Sequence, residues 1–213
     1  MTLSVPEAKQ IIEKQKQQEL TLGTPLEKVN DYLKHVNRSA AIARMIATQI
    51  PDMDPEKIYV SALLHDIGRL EEARTGSFHG IIGYNWLKEK DEFAARTALI
   101  HMFPLNRLPN REKCQSLGLS VSQEYGFIAD YLKNTKMTEA DGLIQLADSL
   151  TNKNGFVRLK DRFEEYERRH HVKLPIEVIF PRYMLKAHFD NRLGYSIYDL
   201  LPALINKEQT HQH

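Results

Sequence analysis

The stretch Ser61–Leu70, SALLHDIGRL, limits what the rest of the chain can do. It closes a segment that starts at Asp54-Pro55, where Asp54 is placed to cap a helix and Pro55 to open it. Ile58, Val60, Ala62, Leu63 and Leu64 leave that helix with almost no polar side. Such a helix must be covered on all sides, so it is expected at the centre of the fold. It nevertheless ends in an imidazole beside a carboxylate, His65 and Asp66, followed by Ile67-Gly68 as a stop. Adjacent helical residues point about 100° apart, so the two side chains do not stack, yet both can reach a metal off the helix end. Gly68 is expected to supply the conformational freedom for a sharp turn away.

The remaining segments also carry helical patterns. Pro6 to Leu20 is Lys- and Gln-rich and reads as a polar surface helix or arm. Thr24 is expected to cap the next helix, with Pro25 in its first position and Glu27 in its first turn. That helix is expected to reach about Ile50, because Leu26, Val29, Leu33, Val36, Ala40, Ala43, Ala47 and Ile50 recur at three-four spacing. His35 lies beside that stripe. Leu70 to Phe78 reads as a polar loop. His79 opens a helix in which Gly80 and Gly83 permit close approach, and another helix follows from about Asp91 to His101. The short link near Lys90-Asp91 predicts an antiparallel pair. At ~1.5 Å per residue, His79 and His101 return to the same end of it.

Phe103 to Leu119 reads as a loop or broken helix, and Ser120 to Lys133 as a helix. Thr138 and Asp141 form a capping-box pattern ahead of Glu139 to Leu150, where Asp148 stands among apolar residues. Further helices are expected near Val157 to His170, Ile176 to Phe189 and Ile197 to Ile205. His170 and His171 read as cations offsetting a helix dipole, and His188 as a packed residue. There is no β alternation and no repeat, so the expected fold class is all-α.

Composition narrows the partners. The 213 residues suit one domain with modest extensions. A net charge of +1 supplies no field that argues for nucleic acid or a membrane surface. No apolar run approaches the ~18 residues of a membrane span, and the first residues show no signal-peptide pattern. Cys114 is the sole cysteine, which excludes an internal disulfide and fits a cytoplasmic protein.

In chain order, the candidate ligands are His35, His65, Asp66, His79, His101 and Asp148. They lie in HVNRSAAIA, SALLHDIGRL, FHGIIGYNWL, ALIHMF and LIQLADSL. The order H…HD…H…H…D resembles the two-metal form of the HD superfamily of metal-dependent phosphohydrolases. The resemblance implies an HD-domain helical bundle over 25–150, with an N-terminal helical arm over 1–24 and a C-terminal helical extension over 151–213 packed on it. It implies one metal held by His35, His65, Asp66 and Asp148, and a second by His79 and His101 with Asp66 bridging. Mixed imidazole and carboxylate ligation suits divalent iron or manganese, with magnesium, cobalt, nickel and zinc also open. A metal-bridging hydroxide would then attack phosphorus in a phosphate ester or anhydride, a nucleotide being one candidate.

Asp66, Arg38 and Arg69 are the expected catalytic residues. Arg38 lies one turn after His35, and Arg69 stands where many relatives of this type carry Lys. Arg38, Arg69, Arg107 and Arg111 are the expected substrate-binding residues. The last two, with Lys113, read either as an anionic-substrate lid or as plain solvated surface. The expected partner is a small phosphorylated substrate, with a homodimer left open and neither nucleic acid nor membrane expected. One rival shares the ligand pattern, the mixed-valent di-iron oxygenase branch, which resembles inositol oxygenase; a second is a non-catalytic metal-bound sensor or interaction domain, against which the intact ligand set argues.

Overall fold

The computed structural model describes residues 2–116, 124–152 and 155–202. The element order is α1 (Val5–Thr21), α2 (Leu26–Ala47), α3 (Pro55–Leu64), α4 (Arg69–Thr75), α5 (His79–Leu87), α6 (Glu92–Ile100), α7 (Arg111–Ser116), α8 (Tyr125–Asn134), α9 (Glu139–Ser149), β1 (Thr151–Asn152), β2 (Gly155–Phe156), α10 (Leu159–His170) and α11 (Ile176–Leu193). Short 3-10 turns at Pro104–Asn106 and Ile197–Leu200 complete it. The fold is all-α apart from the β1–β2 pair, antiparallel with Thr151 opposite Phe156. Two residues per strand are too few to show alternation in a sequence.

The helix ahead of His65 is central. Ile58, Val60, Ser61, Ala62, Leu63 and Leu64 of α3 are all buried, with α1, α2, α6 and α9 packed around them. Asp54 caps α3 by accepting the Glu56 and Lys57 backbone N–H groups at 3.0 and 3.1 Å. α2 runs along both α3 and α9 and buries Val36, Ala40, Ala43 and Ala47 on its inner face. The Thr138–Asp141 capping box opens α9. A smaller core of Phe78, Leu99, Phe103, Cys114, Ile128 and Leu132 joins the α5–α6 hairpin to α7 and α8.

Several local expectations are corrected. The backbone at Gly68 has φ −84°, an ordinary value, so the turn does not need left-handed freedom there. Glycine is needed because a Cβ would lie 2.3 Å from the His79 carbonyl oxygen and 2.8 Å from Ile82 Cβ. Close packing of α5 on the His65-Asp66 turn is the constraint. Gly83 serves the opposite contact: a Cβ there would meet Ala98 Cβ at 3.0 Å and Ile67 Cγ2 at 3.1 Å.

Leu70 to Phe78 is not a loop, since α4 fills most of it. Only Leu70 of that helix is buried, so it has no apolar stripe to betray its period. Thr24 does not cap α2; its hydroxyl donates to buried Glu19 at 2.7 Å, and α2 has no side-chain cap. α2 stops at Ala47, and a turn carries the chain to Ile50. The polar arm, α1, buries Ala8, Ile12, Gln15 and Glu19. The Gln15 side-chain amide donates to the Ile67 carbonyl, tying α1 to the turn that carries Asp66.

α11 continues beyond Phe189 to Leu193 and packs on α9 through buried Leu185 and Phe189. His188 is half-exposed and pairs with Glu139 at 2.6 Å instead of packing inside. Only Tyr125–Asn134 of the helix expected from Ser120 is described, and the part before Glu124 lies outside the described residues. The same holds for the tail helix beyond Pro202, of which Ile197–Leu200 is a 3-10 turn.

Candidate metal centre

Five elements converge on one point. α2 brings His35, the turn after α3 brings His65 and Asp66, and α5 opens with His79. His101 caps the end of α6, and Asp148 lies in the last turn of α9. All six expected ligand residues therefore meet. His35 Nε2 lies 3.3 Å from His65 Nε2, 3.1 Å from Asp148 Oδ1 and 3.7 Å from Asp66 Oδ2. His79 Nε2 lies 3.3 Å from His101 Nε2, and Asp66 Oδ1 lies 3.2 and 3.3 Å from these two nitrogens. Asp66 thus turns one oxygen to each group.

These separations suit cations. Donors held at about 2.0–2.2 Å stand roughly 3.0 Å apart around an octahedral ion and about 3.4 Å apart around a tetrahedral one. Two groups satisfy the close convergence a metal requires: His35, His65 and Asp66, and Asp66, His79 and His101. Asp148 adds an oxygen to the first.

The other ring nitrogens are committed elsewhere. His65 Nδ1 faces the Ala62 carbonyl at 2.6 Å and His101 Nδ1 the Ala98 carbonyl at 2.9 Å. His79 Nδ1 faces Glu72 Oε2 at 2.8 Å. The two carbonyls only accept, so Nδ1 of His65 and of His101 carries a hydrogen and their Nε2 presents a lone pair inward; His79 Nδ1 also faces Arg69 Nη1 at 3.2 Å, and the closer Glu72 carboxylate, which only accepts, sets the same tautomer there. Thr151 Oγ1 donates to the Asp148 carbonyl at 3.1 Å and meets His35 Nδ1 at 3.0 Å, which orients the fourth ring the same way. His79 Nε2, His101 Nε2 and Asp66 Oδ1 are then three acceptors facing one another. They need a proton or a cation between them.

Charge follows the geometry. Burial works against the carboxylate of Asp66, but His79, His65 and His101 hold its pKa well below the usual range. Burial likewise opposes the Asp148 carboxylate, and His35 and His65 outweigh it. At His65 burial favours the neutral ring, yet Asp66 and Asp148 prevail and raise its pKa to about 9. His101, dominated by burial, is lowered.

The centre floors a cavity of about 580 Å³. Arg69 and Arg107 line it, Arg69 donating to Glu72 at 2.9 Å. Arg38 and Arg111 are not among its lining residues. Arg38 Nη1 donates to the Asn152 carbonyl at 3.0 Å, so it braces β1 on α2 even though it shares a helix face with His35. Arg111 lies over the Tyr125 ring at 5.1 Å. Sequence reasoning missed Glu72 because α4 was hidden. It also missed Arg162, Tyr166 and His170 of α10 and Arg182 of α11, which line the cavity from beyond the motif. Arg182 carried a signal: with Val178, Leu185 and Phe189 it follows the inner stripe of α11, an unusual place for a cation. Tyr32 also lines the cavity; its hydroxyl is buried and has no hydrogen-bond partner among the described residues.

No helix of the described residues is long and apolar enough to cross a membrane. No curated protein and no solved structure matches the chain. A family model for the HD domain matches residues 32–153, which is more than half of the chain and includes all six converging residues. HD domains bind divalent metals and are usually metal-dependent hydrolases. The matched span and the two adjoining ligand groups agree, and the chain belongs to the HD-domain family.

Proposed function

We propose that the chain hydrolyses a phosphate ester or anhydride at a two-metal site, with a nucleotide among the candidate substrates. The observation that carries this reading is the position of Asp66, one oxygen toward His35 and His65 and the other toward His79 and His101, on the floor of an arginine-lined cavity. His35, His65, Asp66 and Asp148 would hold one cation, and Asp66, His79 and His101 the other. When bound, such a pair supplies a lowered pKa for water and polarises a phosphoryl oxygen.

The chain's own residues do the rest. Glu72, Thr151 and the Ala62 and Ala98 carbonyls fix the four rings with Nε2 inward. Arg69, steadied by Glu72 on the cavity wall, would donate to a phosphoryl oxygen, as a guanidinium can with two parallel N–H groups. Arg107 adds positive charge at the wall. Burial and Asp66 together raise the pKa of the Tyr32 phenol well above its ordinary value. Tyr32 is therefore a neutral phenol at the cavity wall, with a hydroxyl that would become a substrate donor only if the bound ligand reaches it.

The test is a panel of phosphate monoesters, diesters and nucleotides with Mn²⁺ or Fe²⁺, read as phosphate release. Release that depends on added metal is the expected result. Oxygen uptake with a polyol or phosphonate, and no phosphate from any ester, would place the chain with the oxygenases instead. The arginines around the cavity favour the hydrolase.

A further inference from the structure

Arg182 reaches the cavity from α11, outside the span 32–153 that the family model matches. Its Nε donates to Ser149 Oγ at 2.9 Å, and its Nη1 to the Val178 carbonyl at 2.7 Å. Ser149 directly follows Asp148, so these bonds fix the guanidinium beside the metal-binding carboxylate. Both partners are neutral. Of the other arginines lining the cavity, Arg69 has Glu72 at 2.9 Å, and Arg162 and Arg169 share Glu165 at 3.2 and 3.6 Å. Among the described residues no carboxylate stands within ion-pair distance of Arg182. Burial lowers its pKa to about 10, with Arg162 adding to the effect and Asp148 opposing it. Asp148 is already set against His35 and His65. A part-buried cation without a counter-ion is costly to maintain, and an anionic ligand would offset that cost.

The chemistry of the ligand follows from counting oxygens. A phosphoryl group in transfer spreads charge over three equatorial oxygens. A monoester, or the terminal phosphoryl of an anhydride, has three non-bridging oxygens. A diester has two. Cations in the two ligand groups around Asp66 would account for two oxygen partners, and Arg182, with Arg69, lines the cavity wall where a third would find a donor.

We propose that Arg182 is a specificity-determining residue, through which the C-terminal extension makes the site select terminal phosphoryl groups over phosphodiesters. The inference rests on the phosphohydrolase reading and adds the substrate class to it.

The test uses full-length, metal-loaded protein as wild type, Arg182→Gln and Arg182→Lys. The probes are p-nitrophenyl phosphate, bis(p-nitrophenyl) phosphate and inorganic phosphate, the last by calorimetry. Metal content and thermal midpoint are measured alongside. Wild type is expected to prefer the monoester. Arg182→Gln is expected to raise its KM and weaken phosphate binding by about 10- to 100-fold, as for loss of a hydrogen bond to a charged group. The diester rate and metal content should change little, and Arg182→Lys should restore part of the loss. Equal phosphate affinity in wild type and Arg182→Gln, equal losses on both esters, or a wild-type preference for the diester overturns the inference. If Arg182→Gln does not fold, Arg182→Lys decides, and unchanged phosphate affinity in it counts against the inference. Wild type that cleaves neither ester and binds no phosphate fails the phosphohydrolase reading itself. Wild type and Arg182→Gln that cleave the monoester equally well fail this inference alone.

Discussion

His79 Nε2 and His101 Nε2 lie 3.3 Å apart across the α5–α6 hairpin, each with its other nitrogen facing an acceptor. Two imidazoles are held in this way when something positive belongs between them. Replacing His101 by Ala is therefore expected to remove one cation and leave the His35, His65, Asp66 and Asp148 group loaded. Metal analysis of the purified variant should fall from about two equivalents toward one. A variant that still holds the wild-type amount would remove His101 from the ligand set.

Glu72 acts through His79, since its Oε2 accepts from Nδ1 at 2.8 Å. Glu72→Gln keeps the shape and removes the charge. Changes to such outer partners typically cost about 10- to 100-fold in metal affinity. Titration of apo protein with Mn²⁺ should show that loss in one of two binding phases. Loss in neither phase would reduce Glu72 to a partner of Arg69.

Tyr32 offers a separation of stability from activity. Its hydroxyl is buried without a partner among the described residues, so Tyr32→Phe removes an unsatisfied group and should leave the thermal midpoint unchanged or raise it. Turnover should nevertheless fall, by about tenfold if the phenol gives the substrate one hydrogen bond. Full activity in the variant would leave the hydroxyl with no role in the reaction.

Gly68→Ala is expected to damage the centre from outside it. The added Cβ would meet the His79 carbonyl oxygen at 2.3 Å, and backbone cannot yield as a side-chain tip can. A cost of about 1–3 kcal/mol is typical of such overpacking. Denaturant melts and metal content should fall together. A fully stable, fully loaded variant would contradict the close contact of α5 with the His65-Asp66 turn.

Cys114 tests the packing of the segment after His101. It is buried in the smaller core, its thiol donates to the Pro109 carbonyl at 3.3 Å, and burial raises its pKa. The raised value keeps the unreactive thiol form dominant to a higher pH than in the unfolded chain. Labelling with a thiol reagent near pH 8 should be slow in native protein and fast in denatured protein. Immediate labelling of native protein would contradict that burial.

The centre was legible because its residues announce themselves twice, by type and by place. His65 and Asp66 end an apolar helix, and His79 and His101 stand at equal distances from a short turn. Capping residues such as Asp54 and Thr138 were legible for the same local reason. What was hidden lacks that doubling. α4 buries only Leu70, so hydrophobic period is silent there. Gln15 and Glu19 are polar yet buried, so α1 reads as looser than it is. Arg38 shares a helix face with His35, but a long side chain can reach past its own face, and here it reaches Asn152. Arg182 and Ser149 meet only because α11 packs on α9, a tertiary fact with no local pattern.

The most direct measurement is the metal content of freshly purified full-length protein beside its Asp66→Ala variant, because Asp66 is the one residue common to both ligand groups. The account predicts about two divalent cations per chain in the wild type and loss of both sites' occupancy in the variant. Equal metal content in the two proteins would contradict it.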